Sequence, residues 1–121
     1  MPHQPKYTPA VGLITVDDFQ RVEMRVGRIV QVDDFPQARK PSYRLLIDFG
    51  PYGIRSSSAA IRPFYSREEL LGRQVVAVTN FPPRRIAGFA SEVLVLGAVQ
   101  DDGRVILLCP DAEAQLGARI A

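Results

Sequence analysis

Hydrophobic and polar positions alternate most regularly in residues 43–49, where Tyr43, Leu45, Ile47 and Phe49 fall on one side and Arg44, Leu46 and Asp48 on the other. A period of two marks a half-buried strand. Residues 24–32 also have strand composition, but their alternation slips: Met24, Val26, Val30 and Val32 share a face while Ile29 falls on the other. A bulge or bend at Gly27 would reconcile the two halves. Residues 54–61 predict a third strand built from small side chains. The tight turn Gly50-Pro51-Tyr52-Gly53 precedes it, so strands one to three form an antiparallel meander. Residues 74–79 are apolar on both faces and predict a fully buried fourth strand, and residues 92–97 a fifth. Asp101-Asp102-Gly103 is a hairpin turn leading into residues 104–109, and residues 116–120 suggest a last short strand.

Helical signals are few. Thr15 can cap a short helix carrying Asp17 and Asp18 in its first turn. Residues 63–72 predict a second, with Ser66 as cap, Glu68 and Glu69 in the first turn and Gly72 as terminator. The order is three strands, one short helix, then two or three strands. That is the layout of the OB-fold, a five-stranded Greek-key barrel, here with N- and C-terminal additions; another small all-β barrel or sandwich is the competing architecture. We expect residues 1–15 to form a flexible extension and residues 16–121 the single domain.

Composition narrows the function classes. The chain has 121 residues, 46% hydrophobic and 23% charged, an ordinary globular balance. It holds one cysteine and one histidine, so an intrachain disulfide is excluded and a Cys/His metal site is not expected. Cys109 ends an apolar run and is expected to be a small buried hydrophobe. Neither a phosphate-cradling glycine loop nor a dinucleotide fingerprint is present. The four adjacent acidic pairs, such as Asp33-Asp34, read as turn and cap residues rather than acid/base pairs. No enzymatic activity and no cofactor are expected. No apolar run is long enough to span a bilayer, so membrane insertion is not expected and a cytoplasmic location is.

Charge is distributed unevenly. Residues 39–85 carry nine basic and three acidic side chains, against four and five in residues 1–38 and two and five in residues 86–121. A basic middle third suits a polyanion. At its end stands Asn80-Phe81-Pro82-Pro83-Arg84-Arg85-Ile86-Ala87-Gly88-Phe89-Ala90-Ser91-Glu92. Two prolines forbid a helix interior or a central strand there, so the stretch reads as a stiffened loop between two buried strands. Guanidinium groups beside aromatic rings are what RNA asks for, since arginine meets phosphate and stacks on bases. The alternative is a tight connection whose Phe81 and Phe89 plug the core while its arginines are solvated. The small side chains Ser56, Ser57, Ser58 and Ala59 either let an RNA backbone approach closely or relieve crowding in the barrel. Phe35, in a loop bounded by prolines, is too apolar unless it packs or binds, and core packing is the first expectation.

Several of these segments together resemble a known family. Val26-Gly27-Arg28-Ile29-Val30, Phe35-Pro36-Gln37-Ala38-Arg39, Ile47-Asp48-Phe49-Gly50, Ser57-Ser58-Ala59 and the block from Asn80 to Gly97 are similar to the CsaA-type proteins, small homodimeric members of the tRNA-binding-domain family. Domains of that family are also appended to some aminoacyl-tRNA synthetases, usually with a more lysine-rich counterpart of Phe81-Pro82-Pro83-Arg84-Arg85. The resemblance implies an OB-fold homodimer without enzymatic activity. It also implies binding of tRNA by its shape, of unfolded export-destined polypeptides in a hydrophobic pocket, or of both. The alternative it leaves is a free-standing tRNA-binding cofactor of a synthetase. By motif position it assigns Ser57, Ser58, Asn80, Arg84, Arg85, Ser91 and Glu92 to a polar binding face, and Phe35, Phe81, Ile86 and Phe89 to an apolar one. Ser56 and Ala60 stand where glutamine is expected, and residues 1–10 have no counterpart.

Overall fold

The structure, a computed structural model, describes residues 8–121; residues 1–7 of the expected flexible extension lie outside them. Eleven residues, Met24–Asp34, form the longest strand, β1. Its first half pairs antiparallel with β4 (Gln74–Val78) and its second half with β2 (Tyr43–Asp48), the two registers meeting at Arg28. One strand shared between two neighbours in this way must bend, and that bend curls the sheet into a barrel. β3 (Ile54–Ala59) pairs with β2, and β7 (Leu94–Val95) with β4, giving the order β3-β2-β1-β4-β7. The barrel is nearly closed where the backbone N–H groups of Glu92 and Val93 both donate to the Ser56 carbonyl, at 2.9 and 3.2 Å. This is the OB-fold expected from the strand order.

The break in β1 is not at Gly27. The register shifts between Ile29 and Gln31, so Val30 is the bulged residue and is exposed. Gly27 serves close packing instead: a Cβ there would stand 2.5 Å from Ile47 Cγ2 and 2.7 Å from Phe49 Cε1. The core is filled by the alternating residues of β2, the inward residues of β1 and β4, and Leu70. Leu70 closes the short helix α2 (Arg67–Leu70). Both α2 and α1 (Val16–Gln20) begin with reciprocal capping boxes, Ser66 with Glu69 and Thr15 with Asp18.

The C-terminal segment covers what the barrel leaves open. Gly117 N donates to Val26 O at 2.8 Å, Val26 N to Ala118 O at 3.0 Å, and Ile120 N to Met24 O at 2.9 Å. The tail thus occupies the edge of β1 that β2 has turned away from, as a single bridge rather than the short strand expected. Residues 92–97 do not make one strand either. β7 ends at Val95, and Gly97–Val99 (β8) pairs with Val105–Leu107 (β9) across the Asp101-Asp102-Gly103 turn. Cys109 is exposed rather than buried. β9 ends at Leu107 in a two-stranded hairpin, and Leu108 and Cys109 follow it on the exposed surface.

Candidate nucleic-acid and polypeptide interface

The proline-arginine stretch folds into a hairpin, not an irregular loop. β5 (Arg84–Ile86) pairs with β6 (Phe89–Ser91) through Arg84↔Ser91, Arg85↔Ala90 and Ile86↔Phe89. Ala87 and Gly88 make a two-residue turn, both with positive φ, 47° and 82°. That is the turn whose twist matches a hairpin, and glycine meets its second position without strain. Pro82 and Pro83 stand just before β5, where they fix the approach without breaking the short ladder. Asn80 fastens the entrance: its Oδ1 accepts from Glu23 N at 2.9 Å, and its Nδ2 donates to Arg21 O at 2.8 Å.

Residues paired across a hairpin share a face. Arg84 and Ser91 therefore point to one side and Arg85 and Ala90 to the other. On the Arg84 side lies a groove of about 270 Å³ between the hairpin, β3 and the start of β7. Ser58, Phe81, Arg84, Ile86, Ser91 and Glu92 line it, as expected. Pro82, Val93 and Leu94 line it too, and were missed. The signal for Leu94 was its place in an apolar run, which read as interior; it is 46% exposed. Phe81 is 50% exposed.

Five expected residues are not at this groove. Phe35 is 3% exposed and meets Phe89 edge to face at 5.5 Å, so both rings serve packing between the hairpin and the barrel. Ser57 is wholly buried and donates to the Ser58 carbonyl at 3.0 Å. Asn80 is committed to the β1 entrance. Arg85 is exposed on the opposite face, where its Nη1 donates to Gly88 O at 3.0 Å.

Glu92 ties the groove to the barrel. Its Oε1 accepts from Ser56 N and from Ser56 Oγ, both at 2.9 Å, and its Oε2 lies 3.7 Å from Arg55 Nε. The Ser56 backbone N–H holds the carboxyl below its usual range; the Ser56 hydroxyl and the Arg55 charge assist, and burial opposes them. The groove's one carboxylate is thus ionised but occupied. Ser91 Oγ accepts from Ser58 N at 3.0 Å, and Ser56 Oγ reaches Ala90 O at 2.7 Å. Ser56, which stands where the resemblance leads one to expect glutamine, braces the hairpin. Neither Arg84 nor Arg85 forms an ion pair among the described residues, whereas Arg25, Arg28, Arg55 and Arg62 do. Unpaired guanidinium beside an exposed ring and apolar walls can hold phosphate, stack on a base or seat an apolar side chain.

No group of three or more metal-ligating side chains occurs among the described residues, and no helix among them is long and apolar enough to cross a membrane.

Comparison with known proteins gives this geometry its context. The family model described as a putative tRNA binding domain matches residues 24–119. The crystal structure of the chaperone CsaA from Bacillus anthracis is 46% identical, covers 91% of this chain and all of its own, and superposes with a TM-score of 0.87. The CsaA chaperone protein from Picrophilus torridus is 49% identical, with 90% of this chain and all of that one covered, at a TM-score of 0.85. Methionine–tRNA ligase from Pyrococcus abyssi is 42% identical over 108 residues, which span 88% of this chain but only 14% of the ligase. The chain belongs to the tRNA-binding-domain family, as a member of its CsaA type.

Proposed function

We propose that the chain is a non-enzymatic binding protein that holds tRNA against the hairpin and β3. One observation carries this reading: Arg84 stands at the groove with no carboxylate partner, beside exposed Phe81, while Glu92 is already engaged by Ser56 and Arg55. The groove therefore presents a free guanidinium and an aromatic face together, which suits a phosphate and its neighbouring base. Affinity for tRNA should fall steeply with salt as counterions are released. Replacing Arg84 and Arg85 with alanine should weaken binding to all tRNAs alike and flatten the salt dependence. Filter binding or fluorescence titration at several salt concentrations tests this. Binding that is insensitive to salt, or absent at low salt, refutes it.

A second reading has its own support. Pro82, Ile86, Val93 and Leu94 give the same groove apolar walls, and exposed apolar surface of this kind suits an unfolded polypeptide. The two structural relatives described as chaperones point the same way. Suppression of aggregation of an unfolded export-destined polypeptide, lost on Phe81→Ala, tests it. We also propose a homodimer. Val11, Leu13, Ile14 and Val16 are 91%, 90%, 67% and 71% exposed, an apolar strip that a second copy would cover. A monomer by light scattering at micromolar concentration refutes the pairing. Partnership with a methionyl-tRNA synthetase, suggested by the ligase relatives, would show as co-purification that survives ribonuclease.

A further inference from the structure

A further unpaired guanidinium lies three strands from Arg84, with β6 and β3 between them. Arg44 sits on β2, directly opposite Ser58 of β3 on one side and Asp33 of β1 on the other. Its guanidinium carbon is 5.3 Å from the ring centre of Phe35 and 5.7 Å from that of Phe89. Its Nε is buried and has no hydrogen-bond partner, alone in this among the buried side-chain polar atoms of the described residues. Asp33 does not neutralise it: that carboxylate accepts from Gln31 Nε2 at 2.6 Å and makes no ion pair with Arg44. A buried donor without an acceptor is unfavourable, and two ring faces hold this one in place.

Register links the two arginines. Arg84 pairs with Ser91 across the hairpin, Ser91 Oγ accepts from Ser58 N at 3.0 Å, and Ser58 pairs with Arg44. A row Arg84–Ser91–Ser58–Arg44 therefore crosses β5, β6, β3 and β2. At each end is an unpaired guanidinium. Between them are two hydroxyls: Ser91 Oγ accepts from the Ser58 amide and keeps its own proton to give, and Ser58 Oγ forms no hydrogen bond among the described residues.

We infer that this row is the track of an RNA phosphodiester backbone, with Arg44 as its second anchor. The inference rests on the tRNA-binding reading above and extends it to a residue outside the groove. A guanidinium carbon held within 5.3 and 5.7 Å of two ring centres fixes the head group, and its Nη groups, which make no hydrogen bond or ion pair among the described residues, are left to meet a phosphate. Hydroxyls between two such anchors reach a phosphate or a 2′-OH. Asp33, one strand further out, sets the limit of the track, since phosphate would be repelled beyond it.

The test is the slope of log affinity against log salt for unfractionated tRNA, measured for the wild type, Arg44→Met, Arg44→Lys and Arg84→Ala. Arg44→Met should reduce the slope by about one unit, the loss of roughly one phosphate contact, and weaken binding about tenfold or more at low salt. Arg44→Lys should restore the slope and part of the affinity. If Arg84→Ala flattens the slope and Arg44→Met does not, the second anchor is wrong and the tRNA reading stands. If the wild type shows no salt-dependent tRNA binding, that reading has failed first. A loss towards poly-glutamate with the tRNA slope unchanged assigns the row to acidic polypeptides and overturns the inference. Should Arg44→Met fail to fold, the Arg44 Nε–H resonance of the intact wild type decides: it should shift on addition of tRNA, and an unmoved signal overturns the proposal.

Discussion

Replacing Glu92 with glutamine removes one charge and almost no volume, so it isolates what the carboxylate does for the hairpin. Oε1 accepts from the Ser56 amide and hydroxyl, both at 2.9 Å. That hydroxyl has a single proton and a second acceptor, Ala90 O, at 2.7 Å, so it stays satisfied in the variant. The Ser56 N–H contact is the one that weakens. A hydrogen bond to a charged group contributes about 1.5–3 kcal/mol and a neutral one about 0.5–1.5. The difference is about 1 kcal/mol before screening. Glu92 is 36% exposed, and the Arg55 contact at 3.7 Å adds little in solvent. We therefore expect Glu92→Gln to cost about 0.5–1 kcal/mol and to lower Tm by roughly 2–5 °C for a chain of this size.

The pH dependence supplies the decisive control. The folded-state pKa of Glu92 is lowered, so the unfolded chain binds more protons in the acid range and stability rises with pH there. The contribution is complete above the unfolded value of about 4.3 and is lost as pH falls through the folded value below it. The gap in Tm between wild type and variant should be open at pH 7 and close towards pH 3. The other carboxylates titrate in both proteins and cancel. A gap of equal size at pH 7 and pH 3, or no gap at all, refutes the assignment of Glu92 as an ionised brace.

Two further outcomes follow from packing. Gly27→Ala drives a methyl group into Ile47 and Phe49 and should destabilise by about 1–3 kcal/mol; urea unfolding with a loss below about 0.5 kcal/mol would refute the close approach. Cys109 is exposed, so one thiol per chain should react with an aromatic disulfide reagent in the native protein, and reaction only after unfolding would refute its placement.

The elements that were legible in the sequence are those fixed by neighbours along the chain. The alternation of β2, the caps at Thr15 and Ser66, and the Asp101-Asp102-Gly103 turn depend on spacings of two to four residues, and all are as expected. The errors depend on which strand lies alongside. The slip in β1 could be placed at Gly27 or at Val30 from composition; only pairing with β2 puts it at Val30. Cys109 ends an apolar run that looks interior, yet β9 belongs to a two-stranded hairpin that leaves Ile106 and Leu108 exposed as well. The same limit applies to the site. Arg84 and Arg85 are indistinguishable as neighbours in sequence, and a three-residue strand sends them to opposite faces. Phe35, Phe81 and Phe89 are equally apolar, and only the barrel's edge decides that Phe81 stays outside.

The groove also constrains how its function can be dissected. Ser91 and Glu92 line it, but each also holds the hairpin to β3 through a backbone amide, of Ser58 and of Ser56. Changing either moves the groove wall, so a loss of binding there cannot be told from a loss of shape. Arg84 and Phe81 line the same groove, and their side chains make no hydrogen bond or ion pair with other described residues. Their removal should leave Tm nearly unchanged while altering what is bound. If RNA is the ligand, Arg84→Ala acts on the salt slope and Phe81→Ala on affinity at constant slope, because one loses a phosphate contact and the other a stacked base. If an unfolded polypeptide is the ligand, Phe81→Ala carries nearly the whole loss and salt matters little. The ratio of the two effects therefore separates the occupants without any prior choice of tRNA or polypeptide.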